Sequence, residues 1–224
     1  MTEQKQNRIL ITGANGFIGG ALMRYYAAND MSPTGIDLVG LGENILAEDI
    51  TKPETFSAAL EKCDVLIHTA ALVSNAASDP DMWKANVLAT KRLAEAAVKY
   101  RVRRFIHISS IVVYGNTAEG ELDETHPVHG NGGSYVLTKL AAEHAVLASA
   151  INSSMETVII RPGDVYGPGS RPWVVLPIEA IKKSQFILPA FGQGYFRTIY
   201  LDDLVTGISL AASKESAANE IFNM

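Results

Sequence analysis

The stretch that decides the fold is RILITGANGFIG, residues 8–19. Its first part, Arg8–Thr12, is continuous in aliphatic and β-branched side chains, which predicts a buried strand. Three glycines follow within eight residues, and Phe17–Ala28 then predicts a helix. Glycines let such a turn approach a pyrophosphate closely, while the helix N-terminus supplies free N–H donors and a positive dipole. Glycines alone would be weak evidence, but strand, turn and helix in this order predict a dinucleotide-binding site.

Strand-like and helix-like segments alternate beyond this turn, which predicts a parallel sheet. Further strands are predicted at Thr34–Leu38, Val65–Thr69, Arg104–Ser109 and Thr157–Arg161. The helices predicted between them are Pro53–Glu61, Trp83–Tyr100 and Ser134–Ala150. The expected fold class is therefore α/β, a doubly wound parallel sheet of the Rossmann type.

The second half of the chain is organised differently. Residues 114–133 are rich in glycine, histidine and acidic residues and predict a long loop, and loops of that length are usually functional. Residues 162–189 are proline-rich and predict a small lobe, after which Thr198–Leu201, Val205–Ala212 and Ile221–Met224 return as strand, helix and strand. We expect a nucleotide-binding domain over residues 1–165 and a small, incomplete substrate lobe over residues 166–224.

Composition excludes several classes of protein. With 224 residues, 47% hydrophobic and 19% charged, the chain can bury a core and is neither disordered nor fibrous. A formal net charge of −5 disfavours binding to nucleic acid or to an anionic membrane. The single cysteine, Cys63, excludes an internal disulfide and suits a reducing compartment. The short polar start, Met1–Arg8, does not resemble a signal peptide, so we expect a cytoplasmic location.

Asp37 is the candidate residue for choosing between the two nicotinamide dinucleotides. It falls at the end of the second predicted strand, 18 residues after Gly19. A carboxylate at this position accepts hydrogen bonds from the ribose hydroxyls of adenosine and repels a 2′-phosphate. The sequence therefore predicts NAD rather than NADP.

Tyr135, Lys139 and Ser110 are the candidate catalytic residues. Tyr135 and Lys139 are four residues apart on a predicted helix, so their side chains lie on the same face. A tyrosine with an ordinary pKa of about 10 is a poor base at neutral pH, but a nearby ammonium and an oxidised nicotinamide favour its phenolate. Ser110 follows the fourth predicted strand, at the sheet edge where ligands of such folds bind.

Several motifs in order give the chain its resemblance to a known family. They are TGANGFIG at 12–19, AEDI at 47–50, LIHTAA at 66–71, NVLAT at 86–90, ISSIVVYG at 108–115, YVLTK at 135–139, RPGDVYGPG at 161–169 and YLDDL at 200–204. Together they resemble the extended branch of the short-chain dehydrogenase/reductase superfamily, the NAD-dependent epimerase/dehydratase family. The 3β-hydroxysteroid dehydrogenase-like members are the most similar in pattern.

This resemblance implies hydride transfer at a carbon that bears a hydroxyl or carbonyl. It implies that Tyr135 is the acid/base, that Lys139 holds the nicotinamide ribose and tunes Tyr135, and that Ser110 binds the reacting oxygen. The implied NAD-binding residues are Gly13, Asn15, Gly16, Phe17, Ile18, Gly19, Asp37, Asp49, Ile50, Thr69, Ala70, Ala71, Asn86, Ser109, Tyr135, Lys139, Pro162 and Gly163. The implied substrate-binding residues are Val73, Ser110, Asp164 and Arg197. A homodimer through the long helices is also a family expectation.

The residues separate the reactions of the family only in part. Dehydratases place an Asp-Glu pair after the catalytic hydroxyl residue, where this chain has Ile111 and Val112, so dehydration is not expected. Many sugar-nucleotide epimerases have Asn at the position of Asp164, and a carboxylate there would repel a diphosphate. Their phosphate-binding Arg has no counterpart at Phe196, although Arg197 is adjacent.

We therefore favour a dehydrogenase or reductase of an alcohol or ketone, with a nucleotide-sugar epimerase as the alternative. A third hypothesis is an NAD-binding protein without turnover, because extended members continue past the equivalent of Asn223. The five histidines show no ligand spacing, so we expect no metal site.

Overall fold

Seven parallel strands form the main sheet of the computed structural model, which describes residues 7–73, 77–115, 120–193 and 195–224. The strands in chain order are β1 Ile9–Thr12, β2 Thr34–Asp37, β3 Ile45–Ala47, β4 Val65–His68, β5 Arg104–Ile108, β6 Glu156–Arg161, β7 Asp164–Tyr166, β8 Thr198–Tyr200 and β9 Ile221–Asn223. The main sheet has the order β3-β2-β1-β4-β5-β6-β9, and β7 pairs with β8 in a separate parallel ribbon. This confirms the predicted fold class.

The helices cover both faces of this sheet. They are α1 Phe17–Ala28, α2 Ser57–Glu61, α3 Asp79–Met82, α4 Ala89–Lys99, α5 Ser134–Ala150, α6 Leu176–Lys182 and α7 Leu201–Ser213. Short 3₁₀ turns occur at Pro53–Phe56, Ile111–Tyr114, Pro189–Gly192 and Glu215–Ala217, and π-helical turns at Trp83–Leu88 and Arg171–Val175. None of the helices within the described ranges is long and apolar enough to cross a lipid bilayer.

Two apolar layers enclose the sheet because alternate residues of each buried strand point to opposite faces. In β1, Ile9 and Ile11 pack in one layer with α1 and α7, whereas Leu10 packs in the other layer. The second layer also holds Leu93 of α4 and Val146 of α5. Strands that are apolar on both faces are the reason that the segments read as continuous hydrophobic runs.

The predicted elements differ from the observed ones mainly at their ends and in short segments. Helices Phe17–Ala28 and Ser134–Ala150 have the predicted bounds, whereas the predicted Trp83–Tyr100 helix begins at Asp79, after the N-cap Ser78. The predicted Pro53–Glu61 helix is a 3₁₀ turn followed by α2. Sequence reasoning missed the three-residue strands β3 and β7.

The sheet order places a crevice beside the glycine turn. The chain runs outward from β1 to β2 and β3 on one side, and from β4 onward on the other. In such sheets, ligands bind outside the carboxyl ends of the strands where the direction reverses. The returning elements α7 and β9 pack with this sheet, α7 in the layer of α1 and β9 beside β6.

Candidate active site

Two glycines of the turn after β1 are packed so closely that no side chain would fit at their positions. Gly13 has φ +70°, and a Cβ there would lie 2.8 Å from the backbone nitrogen of Ala70. A Cβ on Gly19 would lie 2.1 Å from the carbonyl oxygen of Gly13. No side chain caps the start of α1 at Gly16, and Asn15 and Gly16 are exposed. An uncapped helix start on a tight glycine turn suits a pyrophosphate, and the assignment of Asn15, Phe17 and Ile18 to its binding stays a prediction.

Asp37 lies beside this turn, at the end of β2. One carboxylate oxygen accepts a hydrogen bond from the Asn15 backbone N–H (2.9 Å), and the other from the Leu38 N–H (2.8 Å). The Asn15 side-chain amide in turn donates to the carbonyl of Val39. The half-buried carboxylate is therefore held in place, and each oxygen keeps a lone pair for a ribose hydroxyl.

The segment after β4 is tied to the same turn. The Thr69 hydroxyl donates to the carbonyl of Thr12 (2.7 Å), and Ala70 contacts Gly13, which places residues 69–71 along the crevice. The buried Asn86 amide accepts from the Leu72 N–H (2.6 Å) and donates to the Leu72 carbonyl (3.0 Å). Asn86 thus holds this segment in place through both polar atoms of its side-chain amide.

Two further residues of the predicted NAD-binding set have their side chains engaged inside the protein. The Ser109 hydroxyl is buried and donates to Glu143 (2.5 Å). Ile50 packs on the layer of α4 and α5. Next to it, half-buried Asp49 accepts from the Thr51 N–H (2.8 Å), a hydrogen bond that lowers the pKa of its carboxyl.

The candidate catalytic residues converge at the carboxyl end of β5. Ser110 follows β5 and starts the 3₁₀ turn Ile111–Tyr114, on which α5 packs. Half-buried Tyr135 lies in the first turn of α5, and Lys139 lies one turn later. The buried Lys139 ammonium donates to the carbonyl of Ile108 (2.8 Å) and lies 5.9 Å from the centroid of the Tyr135 ring.

Burial acts on the proton affinities of both members of this pair. It raises the pKa of Tyr135 to about 12. The expected preference for the Tyr135 phenolate therefore depends on the charges of Lys139 and of an oxidised nicotinamide, and it stays a prediction. Burial also lowers the pKa of Lys139 to about 8, and the carboxylate of Glu143 opposes that fall.

A buried polar chain behind Lys139 was not found by sequence reasoning. Arg161 binds both carboxylate oxygens of Glu143, at 2.7 and 3.0 Å. Its third nitrogen donates to the Tyr114 hydroxyl (2.8 Å), which donates to the side chain of Asn223 (2.9 Å). The signal that could have revealed Glu143 is its spacing, because it continues the Tyr135 and Lys139 helix face by one more turn.

A cavity of about 440 Å³ lies between the 3₁₀ turn that follows Ser110, the start of β8 and the end of β9. Its wall includes Ile111, Gly163, Phe196, Arg197 and Met224. The N–H of Gly163 donates to the carbonyl of Met224 (2.7 Å), and the preceding Pro162 accepts from Ile111 (3.0 Å). The predicted residues Pro162, Gly163 and Arg197 therefore meet at one site.

Two other predicted substrate-binding residues, Asp164 and Val73, lie in different surroundings. Asp164 begins β7 and its N–H donates to the carbonyl of Arg197 (2.6 Å). Burial raises the pKa of the Asp164 carboxyl, and Arg197 opposes that rise. Val73 is exposed and directly precedes residues 74–76, which lie outside the described ranges.

A second cavity lies at the opposite edge of the sheet. It occupies about 400 Å³ at the start of β1 and β2, where Arg8, Asp30 and Cys63 contribute to its wall. This edge is remote from the candidate catalytic residues. Within the described ranges, no group of three His, Cys, Asp or Glu side chains is arranged to hold a metal ion.

The model of the NAD dependent epimerase/dehydratase family matches residues 9–224. The chain belongs to this family. The resemblance to extended short-chain dehydrogenases/reductases is thereby confirmed, and with it the expectation of an NAD-dependent class of enzymes.

Curated members of the family with similar sequences include both ketone-reducing enzymes and epimerases. A 4-hydroxy-2-methyl-3-oxo-4-farnesyl-3,4-dihydroquinoline-1-oxide ketoreductase from Stigmatella aurantiaca is 29% identical over 220 residues, 92% of this chain and 65% of that protein. A UDP-glucose 4-epimerase from Vibrio cholerae is 32% identical, over 96% of this chain and 69% of its own length. A 3 beta-hydroxysteroid dehydrogenase/Delta 5→4-isomerase from Mycobacterium tuberculosis is 30% identical, over 92% and 60%. The chain thus spans 60–69% of the length of these relatives.

A solved structure supports the fold and the cofactor of the family. The UDP-glucuronic acid 4-epimerase from Bacillus cereus, in complex with UDP-glucuronic acid and NAD, matches with a TM-score of 0.83 and 27% identity. The match covers 96% of this chain and 76% of that one. The prediction of NAD as the cofactor is confirmed at the level of the family.

Proposed function

We propose that this chain is an NAD-dependent oxidoreductase that transfers a hydride between nicotinamide and a secondary alcohol or ketone. The observation that carries the proposal is the convergence of Ser110, Tyr135 and Lys139 beside a glycine turn that fits a pyrophosphate. In this proposal, the turn and the start of α1 bind the pyrophosphate, and Asp37 binds the adenosine ribose.

Tyr135 is the proposed acid/base. In the oxidation direction, the Tyr135 phenolate accepts the hydroxyl proton of the substrate, while Ser110 donates a hydrogen bond to the same oxygen. Bound NAD supplies the hydride acceptor and, when oxidised, a positive charge that favours the phenolate. Lys139 holds the nicotinamide ribose and adds a second positive charge. In the reduction direction, the Tyr135 hydroxyl returns the proton to the carbonyl oxygen.

The wall of the cavity is mixed, with apolar surface at Ile111, Phe196 and Met224 and a cation at Arg197, and this suits an alcohol or ketone that has an apolar body. Ile111 stands where the dehydratases of the family carry an acid, so elimination is not proposed. The carboxyl of Asp164 at the start of β7 disfavours a diphosphate group nearby. A nucleotide-sugar epimerase is the second candidate, because Arg197 on the cavity wall offers a cation and an epimerase is among the relatives.

The test separates cofactor binding from turnover. Titration calorimetry with NAD and NADP comes first, followed by a screen at 340 nm over steroid alcohols and simple secondary alcohols. UDP-sugars are incubated separately and resolved by chromatography, since epimerisation gives no net NADH. We expect NAD binding and NAD reduction by an apolar alcohol. Sugar inversion alone would favour the second candidate, and NAD binding without any turnover would contradict both.

A matched pair of variants tests the role of Tyr135. Tyr135→Phe should lower kcat by roughly 10²–10⁴-fold, because the acid/base is removed, while NAD affinity stays within a few-fold. Tyr100→Phe makes the same chemical change at the end of α4 and should leave kcat unchanged. Equal activity in both variants would contradict the assignment.

We also propose that the chain forms a homodimer through α4 and α5, as its family resemblance implies. Leu137 and Leu147 on α5 are exposed, which leaves apolar surface on this helix for a second copy. Light scattering after size exclusion should give a mass twice that of one chain; a monomer at all concentrations would exclude the dimer.

A further inference from the structure

A buried ion pair lies directly behind Lys139, and the proposed reaction does not use it. Glu143 is 1% exposed and Arg161 is 4% exposed, and the guanidinium binds both carboxylate oxygens. Ser109 donates a further hydrogen bond to Glu143 (2.5 Å). Burying two charges is costly unless their geometry and hydrogen bonds are good, so a pair this fully engaged invites a reason for its presence.

Glu143 lies one helical turn from Lys139, and both side chains are buried on the same face of α5. The two are anchored to adjacent residues, because Lys139 donates to the carbonyl of Ile108 and Glu143 accepts from the Ser109 hydroxyl. In this geometry the Glu143 carboxylate favours the charged form of the lysine against burial. The other groups near Lys139 are Tyr135 on its own helix, His68 on β4 and His107 on β5. Burial lowers the pKa of each histidine far below its ordinary value, so both are neutral at pH 7 and supply no negative charge.

We propose that Glu143, held in place by Arg161 and Ser109, is a positioning residue that keeps the Lys139 ammonium charged and fixed against the carbonyl of Ile108. The inference rests on the proposed function, in which Lys139 works as a cation. Removing the charge of Glu143 would take away the carboxylate that favours the charged form of Lys139, so the lysine would lose its proton at a lower pH. It would also leave the buried Arg161 guanidinium without its carboxylate partner.

The same ion pair reaches the wall of the cavity. Arg161 donates to the Tyr114 hydroxyl (2.8 Å), and Tyr114 donates to Asn223 (2.9 Å). Tyr114 and Asn223 both line the cavity between the 3₁₀ turn, β8 and β9. A hydrogen-bonded chain therefore connects Lys139's partner on α5 with the surface that would contact substrate.

The decisive experiment measures the proton affinity of Lys139 directly. Lysine carbons are labelled with ¹³C, Lys139 is assigned by its absence in Lys139→Met, and its side-chain resonance is titrated from pH 6 to 11 in the full chain. Glu143→Gln removes the charge with little change in shape, and Ser109→Ala removes a hydrogen bond to the same carboxylate without changing the charge. We expect the Lys139 midpoint, near 8 in the parent, to fall by about one pH unit or more in Glu143→Gln. It should fall much less in Ser109→Ala, because the charge of Glu143 and its pairing with Arg161 remain.

Activity supplies a second readout. The alkaline limb of the kcat/KM profile should shift to lower pH in Glu143→Gln, by about as much as the Lys139 midpoint. Glu143→Asp, which keeps the carboxylate, should reverse most of the shift. An unmoved Lys139 midpoint in Glu143→Gln would overturn the inference. A moved midpoint in a protein without turnover would uphold it and count against the proposed function instead, so the two failures are distinguishable.

A second variant covers the case in which Glu143→Gln does not fold. Glu143→Gln/Arg161→Met removes both buried charges, a replacement that is often tolerated. The midpoint should still fall, because Glu143 is the partner that acts on Lys139, and an unchanged or raised midpoint would overturn the inference.

Discussion

Gly19→Ala is the substitution whose effect the glycine turn predicts most sharply. A Cβ at this position would lie 2.1 Å from the Gly13 carbonyl oxygen and 2.8 Å from the Thr69 hydroxyl, whereas ordinary contacts begin at 3.4 Å. The carbonyl is backbone, so α1 and the turn must separate by about 1 Å or more, as overpacked sites do. The N–H groups that would bind the pyrophosphate move with them.

Gly20→Ala is the matched control on the same helix. A Cβ there has its nearest neighbours at 3.4 and 3.5 Å, so it fits. Both variants gain the same helix propensity, about 0.5–1 kcal/mol over glycine. The difference in unfolding free energy between them therefore isolates the clash, and it should be about 1–3 kcal/mol against Gly19→Ala.

Calorimetry measures both consequences. For a domain of this size, the clash corresponds to a Tm for Gly19→Ala that is roughly 2–12 °C below that of Gly20→Ala. NAD affinity should fall roughly 100-fold in Gly19→Ala, because donors displaced by this much no longer fit the phosphates. Equal melting temperatures together with NAD affinities within twofold would refute the close-packing argument.

Three further substitutions test other parts of the protein. Asp37→Ser should weaken NAD binding by roughly 10–100-fold, because a charged hydrogen-bond acceptor is lost, and it should improve NADP binding, because the repulsion of the 2′-phosphate is removed. Titration calorimetry that shows no improvement in NADP binding would contradict the role of Asp37. Arg104→Met should destabilise the protein by about 2–4 kcal/mol in urea unfolding, because the 1%-exposed guanidinium binds Glu156 and two carbonyls at the end of α7. The same change at the exposed Arg103 should cost about 0–1 kcal/mol. Similar losses in both variants would show that burial of the guanidinium does not set the loss of stability. Burial lowers the pKa of His107 in the folded protein, so the unfolded state binds the extra proton and stability falls as the pH drops below 6.5. Between pH 7.5 and 5, His107→Leu should therefore lose about 2 kcal/mol less unfolding free energy than the parent. Equal losses of unfolding free energy would contradict this.

The main sheet and the turn could be predicted because their signals are local. β1, β4, β5 and β6 are buried on both faces, so apolar and β-branched residues predominate in each, although β5 also contains Arg104 and His107. α5 could be predicted with its bounds, which placed Tyr135 and Lys139 on one face. These elements carry most of the candidate site.

The remainder depends on contacts between distant parts of the chain. β7 forms because Asp164 pairs with Thr198, 34 residues later, and three residues are too few to predict a strand from the sequence alone. The pairing of Glu143 with Arg161 joins a helix to a strand that folds beside it, so neither residue announces its partner in the sequence.

The effect of burial on Tyr135 could not be predicted for a related reason. The helix spacing correctly placed Lys139 on the same face, but it could not reveal that the ammonium donates to Ile108. The degree of burial that raises the pKa of Tyr135 likewise depends on the packing of α5 against the 3₁₀ turn.

The position of β1 in the sheet has a consequence for biosynthesis. Residues of β1 pair with residues of β2 that lie 24 positions later in the sequence and with residues of β4 that lie 56 positions later. Leu10, for instance, pairs with Thr34 and Leu66. At a synthesis rate of roughly 5–20 residues per second, this apolar segment waits several seconds before its second partner has been made. During that interval, both apolar faces of β1 and the edge that will pair with β4 are exposed to other chains. A chaperone that shields this segment on the ribosome would therefore protect the strand that precedes the nucleotide site.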